Sequence, residues 1–133
     1  MDTTQALADL TEISSQVEAA VLFDEAGEVA GSTLPDEQAG RLAASAAELL
    51  ARAATVGENG GEVTQVEAST PDGSVFVVRE GARRIAAVTG PDPTIGLVFY
   101  DLKSCLRDVG SGSDADRPKR RRPAKKERES DEA

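Results

Sequence analysis

Apolar and polar positions along this chain follow two periods, one near 3.6 residues and one near 2, and the switches between them mark eight elements. The longest periodic stretch is residues 35–56, PDEQAGRLAASAAELLARAATV. Asp36 or Thr33 suits its N-cap, Pro35 its opening and Gly57 its end. Counted in helical steps, Ala39, Leu42, Ala43, Ala46, Leu49, Leu50 and Ala53 form a broad stripe suited to packing on a sheet. The reverse side carries a second seam of small residues, Gly40, Ala44, Ala47, Ala51 and Ala54. A water-facing side would normally carry Lys, Glu and Gln, whereas small side chains admit another backbone at close range. The spacing predicts a helix that is covered twice.

The segments around it divide into strands and two further helices. Residues 3–17 predict a first helix, with Leu7, Leu10, Ile13 and Val17 on a narrow stripe and Thr3 or Thr4 as cap. Residues 19–33 predict a hairpin: AAVLF, a turn at 24–27, and the return EVAGST. AAVLF does not alternate, which places it in the middle of a sheet with both faces covered. GENGG at 57–61 ends the long helix, residues 62–69 alternate as a strand, and TPDG at 70–73 turns the chain. Residues 74–80 and 83–89 predict two more strands, the last again without alternation. Residues 94–109 are rich in strand-favouring Ile, Val, Phe and Tyr. The spacing of Ile95, Val98, Phe99, Leu102, Cys105, Leu106 and Val109 nevertheless predicts a helix capped by Thr94. Short links between strands make neighbours antiparallel, and the long helix permits one crossover. The predicted class is α/β of the α+β kind, in the order α-β-β-α-β-β-β-α.

Composition changes the picture at residue 110. Residues 1–109 predict one domain; residues 110–133 predict a disordered linker, GSGSDAD, and a basic tail with no aromatic or β-branched residue to bury. The net charge of -9 hides an asymmetry: residues 1–110 carry seven basic and eighteen acidic residues, a net of -11. Between 117 and 128 stand eight basic residues, Arg117, Lys119, Arg120, Arg121, Arg122, Lys125, Lys126 and Arg128, against one acidic residue. Such a body does not suit nucleic acid, but its tail suits an anionic partner. One cysteine excludes an internal disulfide and fits a reducing cytoplasm. No apolar run is long enough for an integral membrane segment and the first residues are acidic, so a cytoplasmic location is expected.

Candidate chemistry is sparse. There is no histidine, which removes the commonest general base and metal ligand and argues against an enzyme. Neither GxxxxGK[ST] nor a strand-linked GxGxxG occurs, and there is no CxxC, so no cofactor and no metal is expected. Carboxylates such as Asp24, Glu25, Asp92 and Asp101 read as turn formers and solvated surface, and Cys105, on an apolar stripe, as a small core residue. Glu37 with Arg41, and Glu48 with Arg52, are spaced for surface ion pairs.

The order of AAVLFDEAGEVAGS, RLAASAAELLARAA, TPDGSVFVV and RRIAAVTGPDPTIGLVFYDL resembles the roadblock (dynein light-chain) family over residues 3–109. The resemblance implies a five-stranded antiparallel sheet with the long helix on one face and the other two helices on the other. It further implies homodimers that pair their long helices, a Ras-like small GTPase as partner, and regulation or scaffolding without catalysis. On that reading Gly40, Ala44, Ala47, Ala51 and Ala54 form the dimer interface, and Arg41, Ser45, Glu48 and Arg52 a partner-binding rim. An arginine inserted into the partner's active site is not the expected route. The alternative is an adaptor without a GTPase, its tail docked on an anionic surface. The family does not require the tail. Its residues leave three readings: a solvated extension, a binder of anionic surfaces, or a segment that folds back on the acidic body or clamps a bound partner.

Overall fold

A computed structural model describes residues 2–56 and 64–115 of the chain. It places helix α1 at Thr3–Ile13, strands β1 and β2 at Val17–Phe23 and Val29–Ser32, and helix α2 at Asp36–Ala54. Strands β3, β4 and β5 follow at Gln65–Thr70, Gly73–Glu80 and Arg83–Thr89, and helix α3 at Ile95–Ala115. The predicted order of elements is the observed one. All pairings are antiparallel, and the sheet order is β2-β1-β5-β4-β3.

The two runs without alternation, β1 and β5, are paired with each other at the sheet centre, Ala20 opposite Ala87 and Val21 opposite Ala86. Burial on both faces removes the reason to alternate. Side chains still divide by parity. Ala20, Leu22, Phe76, Val78, Ile85 and Ala87 face the layer of α1 and α3. Val21, Phe23, Val77 and Ala86 face α2, meeting Ala39, Ala43, Ala46 and Leu50. The first layer is bulky, anchored by Phe76 and Phe99 in an edge-to-face contact with ring centroids 5.0 Å apart. In the second, three of the four buried residues of α2 are alanine, so the helix can lie close to the sheet.

Helix α2 is also the crossover. It leaves edge strand β2 and delivers the chain to the opposite edge strand β3. Its 19 residues span about 28 Å at ~1.5 Å each, more than the ~19 Å across four strand spacings. The turns use the residues read as breakers. Asp24 Oδ1 accepts from the backbone N–H of Ala26 and Glu28, each at 2.9 Å, and Gly27 takes φ +85°. Gly73 has no room for a side chain, because a Cβ there would collide with the carbonyl oxygen of Thr89 on the neighbouring strand.

Several boundaries differ from the sequence expectation. Helix α1 is capped by Asp2, whose Oδ1 accepts from Gln5 N at 2.8 Å, and not by Thr3 or Thr4. It stops at Ile13, which is 73% exposed, and Val17 begins β1. A residue four positions beyond Ile13 satisfies the helical period and the start of a strand equally, and pairing with Thr89 on β5 decides for the strand. At α2 the N-cap is Pro35 without a side-chain bond; Thr33 Oγ1 instead accepts from Ala20 N at 3.0 Å, tying β2 to β1. Helix α3 continues six residues beyond Val109, through part of the stretch read as linker. Two glycines there cost roughly 1 kcal/mol each relative to alanine, too little to stop an established helix. Residues 57–63, which include GENGG, and 116–133, which include Arg117 to Arg128, lie outside the described residues.

Candidate functional site

Along α2 the structure separates three strips. Ala39, Ala43, Ala46 and Leu50 are buried under the sheet, with Leu42 and Leu49 half-buried beside them. Gly40, Ala44 and Ala51 are exposed, and Ala47 and Ala54 are half-buried. At 3.6 residues per turn this seam is centred roughly a quarter-turn from the sheet-facing stripe. It therefore runs along the shoulder of the helix and not along its reverse. The five small residues do fall in one line, and a Cβ on Gly40 would meet nothing within 4 Å.

The outermost strip belongs to charged side chains. Arg41 lies 3.3 Å from Glu37, and Arg52 Nε donates to Glu48 at 2.9 Å, both pairs in the solvent. Exposed pairs of this type contribute a few tenths of a kcal/mol each, but they hold two guanidinium groups in line on the ridge beside the seam. Ser45 is exposed on the same ridge, so Arg41, Ser45, Glu48 and Arg52 are brought together as one accessible strip. The geometry is a rigid helix that presents a narrow groove of small residues with a polar crest on one side. It offers contact and shape but no group poised for bond chemistry.

Of the other candidate residues, Asp24 is committed to its turn, and Asp92 holds a backbone φ of +57° in the loop before α3. Asp101 departs from the expectation of a solvated carboxylate, being 8% exposed. Sequence spacing carried a signal for this: Asp101 stands three and four residues from Val98 and Cys105, inside the apolar stripe. Among the described residues no group of His, Cys, Asp and Glu is arranged to hold a metal ion, and no helix is long and apolar enough to cross a membrane.

Cys105 is buried between α1 and α3, where its Sγ–H donates to the carbonyl of Ala6 at 3.6 Å. Burial, then the carboxylates of Asp108 and Asp9, push its thiol from 9.0 up to about 12. At pH 8 the folded chain should therefore react with a thiol reagent about a thousand-fold more slowly than the unfolded chain, as a stopped-flow assay with and without denaturant would measure. Because the folded state holds this proton more tightly, the associated stability is complete below pH 9 and is lost as pH rises from 9 towards 12.

Comparison with known proteins places this geometry. The sequence pattern of the Roadblock/LC7 domain matches residues 3–89, while no curated protein sequence matches the chain. Among solved structures, the Roadblock/LC7 domain from Streptomyces avermitilis superposes with a TM-score of 0.77 at 21% identity, covering 86% of this chain and 99% of that one. MglB of Myxococcus xanthus superposes with a TM-score of 0.67 at 16% identity, covering 88% and 91%. An MglB solved in a tetrameric arrangement gives a TM-score of 0.63 at 17% identity, covering 84% and 87%. At such identities the likeness is one of fold. The sequence match runs from the first residue of α1 to the last residue of β5. With the helix–sheet–helix layering described above, it makes this chain a member of the Roadblock/LC7 family.

Proposed function

We propose that the domain is a non-catalytic homodimeric regulator or scaffold for a Ras-like small GTPase, with α2 as its working surface. The observation that carries this reading is the exposed seam of Gly40, Ala44 and Ala51. A helix face made of small residues and left open in the single chain is suited to the close approach of a second helix, and the simplest second helix is its own copy. Membership of the family supports a regulatory role, and the likeness in fold to an MglB solved in a tetrameric arrangement supports the reading of an assembly.

In the proposed dimer the two seams meet and the charged crests flank the contact. Arg41, Ser45, Glu48 and Arg52 then border a composite surface built from both subunits. Regulation would follow from differential binding: a dimer that grips one nucleotide state better shifts the population toward that state and needs no chemistry of its own. The net charge of -11 over residues 1–110 favours a partner with a basic patch, so association should slow as salt is raised.

The experiment is direct titration of the purified chain against small GTPases encoded near it, each loaded with GDP or a non-hydrolysable GTP analogue. A preference of at least about ten-fold between the two states, worth ~1.4 kcal/mol, is expected for the true partner. Equal binding in both states, or none, would overturn the GTPase reading and leave the adaptor reading in its place.

A further inference from the structure

On the face of the sheet opposite α2, helices α1 and α3 leave between them a groove of about 140 Å³. Its apolar lining includes Leu10, Ile13 and Tyr100, and its rim carries Asp9, Asp101 and Asp108. Ile13 is 73% and Tyr100 62% exposed, so large apolar surface stands open beside three carboxylates. Asp101 is more than nine-tenths buried, yet its side chain lines the groove and has no hydrogen bond or ion pair among the described residues. Among the described residues the buried side-chain oxygen left without a partner is Ser14 Oγ, so the Asp101 oxygens keep an opening to the groove and can accept from a cationic group seated there. Arg107, the basic residue bonded at the groove's edge, donates to Ser104 Oγ at 3.4 Å and makes no ion pair with the three carboxylates. The thiol of Cys105, at the groove's base, is pushed up first by burial and then by the carboxylates of Asp108 and Asp9.

We propose that the basic segment 117–128 of the same chain docks in this groove. A lysine or arginine head group seats at Asp101, and aliphatic stems cover Ile13 and Tyr100. The charges are opposite in sign: a segment of eight basic residues and one acidic residue meets a rim of three carboxylates on a body of net charge -11. Connectivity is favourable too, because the segment is attached to the end of α3, the helix that carries Tyr100, Asp101 and Asp108. From Ala115 back to Asp101 is ~21 Å along the helix axis, whereas thirteen residues from 116 to 128 reach up to ~43 Å when extended. Tethering makes the contact intramolecular, with an effective concentration in the millimolar range. Long basic side chains suit this lining, since their stems pack on apolar surface and a guanidinium can stack on the Tyr100 ring.

The chain has one tyrosine and no tryptophan, so its intrinsic fluorescence reports on the groove alone. The test compares acrylamide quenching of Tyr100 in the full chain with that in a full chain carrying Arg120→Gln, Arg121→Gln, Arg122→Gln, Lys125→Gln and Lys126→Gln, and in Asp101→Asn. The tail variant changes no residue of the folded body, so a failure to fold cannot mimic the result. At low salt the unaltered chain should be quenched roughly two-fold less than either variant, and the difference should vanish near 0.5 M salt, where the Debye length falls to ~4 Å. Equal quenching of the unaltered chain and the tail variant at low salt would overturn the proposal. Protection that survives Asp101→Asn would overturn the seat assigned to Asp101. Protection that appears only as protein concentration is raised would show that the occupant comes from another molecule, which overturns docking in the same chain.

Discussion

Replacement of Ala44 by arginine is expected to leave the subunit folded and to take the proposed dimer apart. Ala44 is exposed in the single chain, lies mid-helix on α2, and sits between Gly40 and Ala47 on the seam. Arginine is a good helix former, so the substitution costs the subunit little. Between two closely packed helices there is no room for a guanidinium, and two-fold symmetry would bring both copies toward each other. A charge forced unpaired into such a contact costs about 3–5 kcal/mol, which weakens dimerisation by roughly two to three and a half powers of ten. Sedimentation velocity across a concentration series would read the change, with far-UV circular dichroism as the control for folding. A dimer of unchanged strength would mean that the seam faces something other than its own copy. Ala47→Glu is the less informative substitution, because Ala47 also packs against the sheet-side core and its replacement would disturb the subunit itself.

Phe76→Ala is expected to destabilise the subunit more than any change on its surface. The ring is fully buried on β4, faces the layer of α1 and α3, and meets Phe99 edge-on with planes 76° apart. Removing a buried phenylalanine costs about 3–5 kcal/mol through lost burial and the cavity left behind, a large share of the 5–15 kcal/mol by which domains are typically stable. The effect should appear as a lowered midpoint of urea unfolding with the slope unchanged. The contrast with the α2 side is instructive. There three of the four buried helix residues are Ala39, Ala43 and Ala46, so truncation at those positions has little to remove and damage comes from enlarging them, while Leu50 is the large side chain on that face. One face of the sheet is held by volume, the other by closeness.

Much of this architecture was legible because each segment's period states how many of its sides are to be buried. The eight elements, their order, the central position of β1, the burial of Cys105 and the sheet-facing stripe of α2 all follow from spacing within one segment. The ends of segments were less legible. Val17 fits the helical period and the strand equally, and only its pairing with Thr89 settles which one it joins. Asp2 outcompetes Thr3 and Thr4 as a cap because its oxygen reaches Gln5 N, a distance spacing does not give.

What the sequence by itself determined is therefore the inventory: which residues seek cover, on how many sides, and in what order along the chain. Tertiary structure alone decided three further things. It paired β1 with β5, joining segments more than sixty residues apart in the chain. It laid the sheet over Ala39, Ala43, Ala46 and Leu50 and left the seam residues Gly40, Ala44 and Ala51 open. And it set α1 against α3 so that Asp101, expected on the solvated surface, lines the groove between them at 8% exposure. The physical reason is common to all three. Periodicity records the demand of a single segment for burial, whereas the identity of what covers it depends on the surfaces that every other segment has left open.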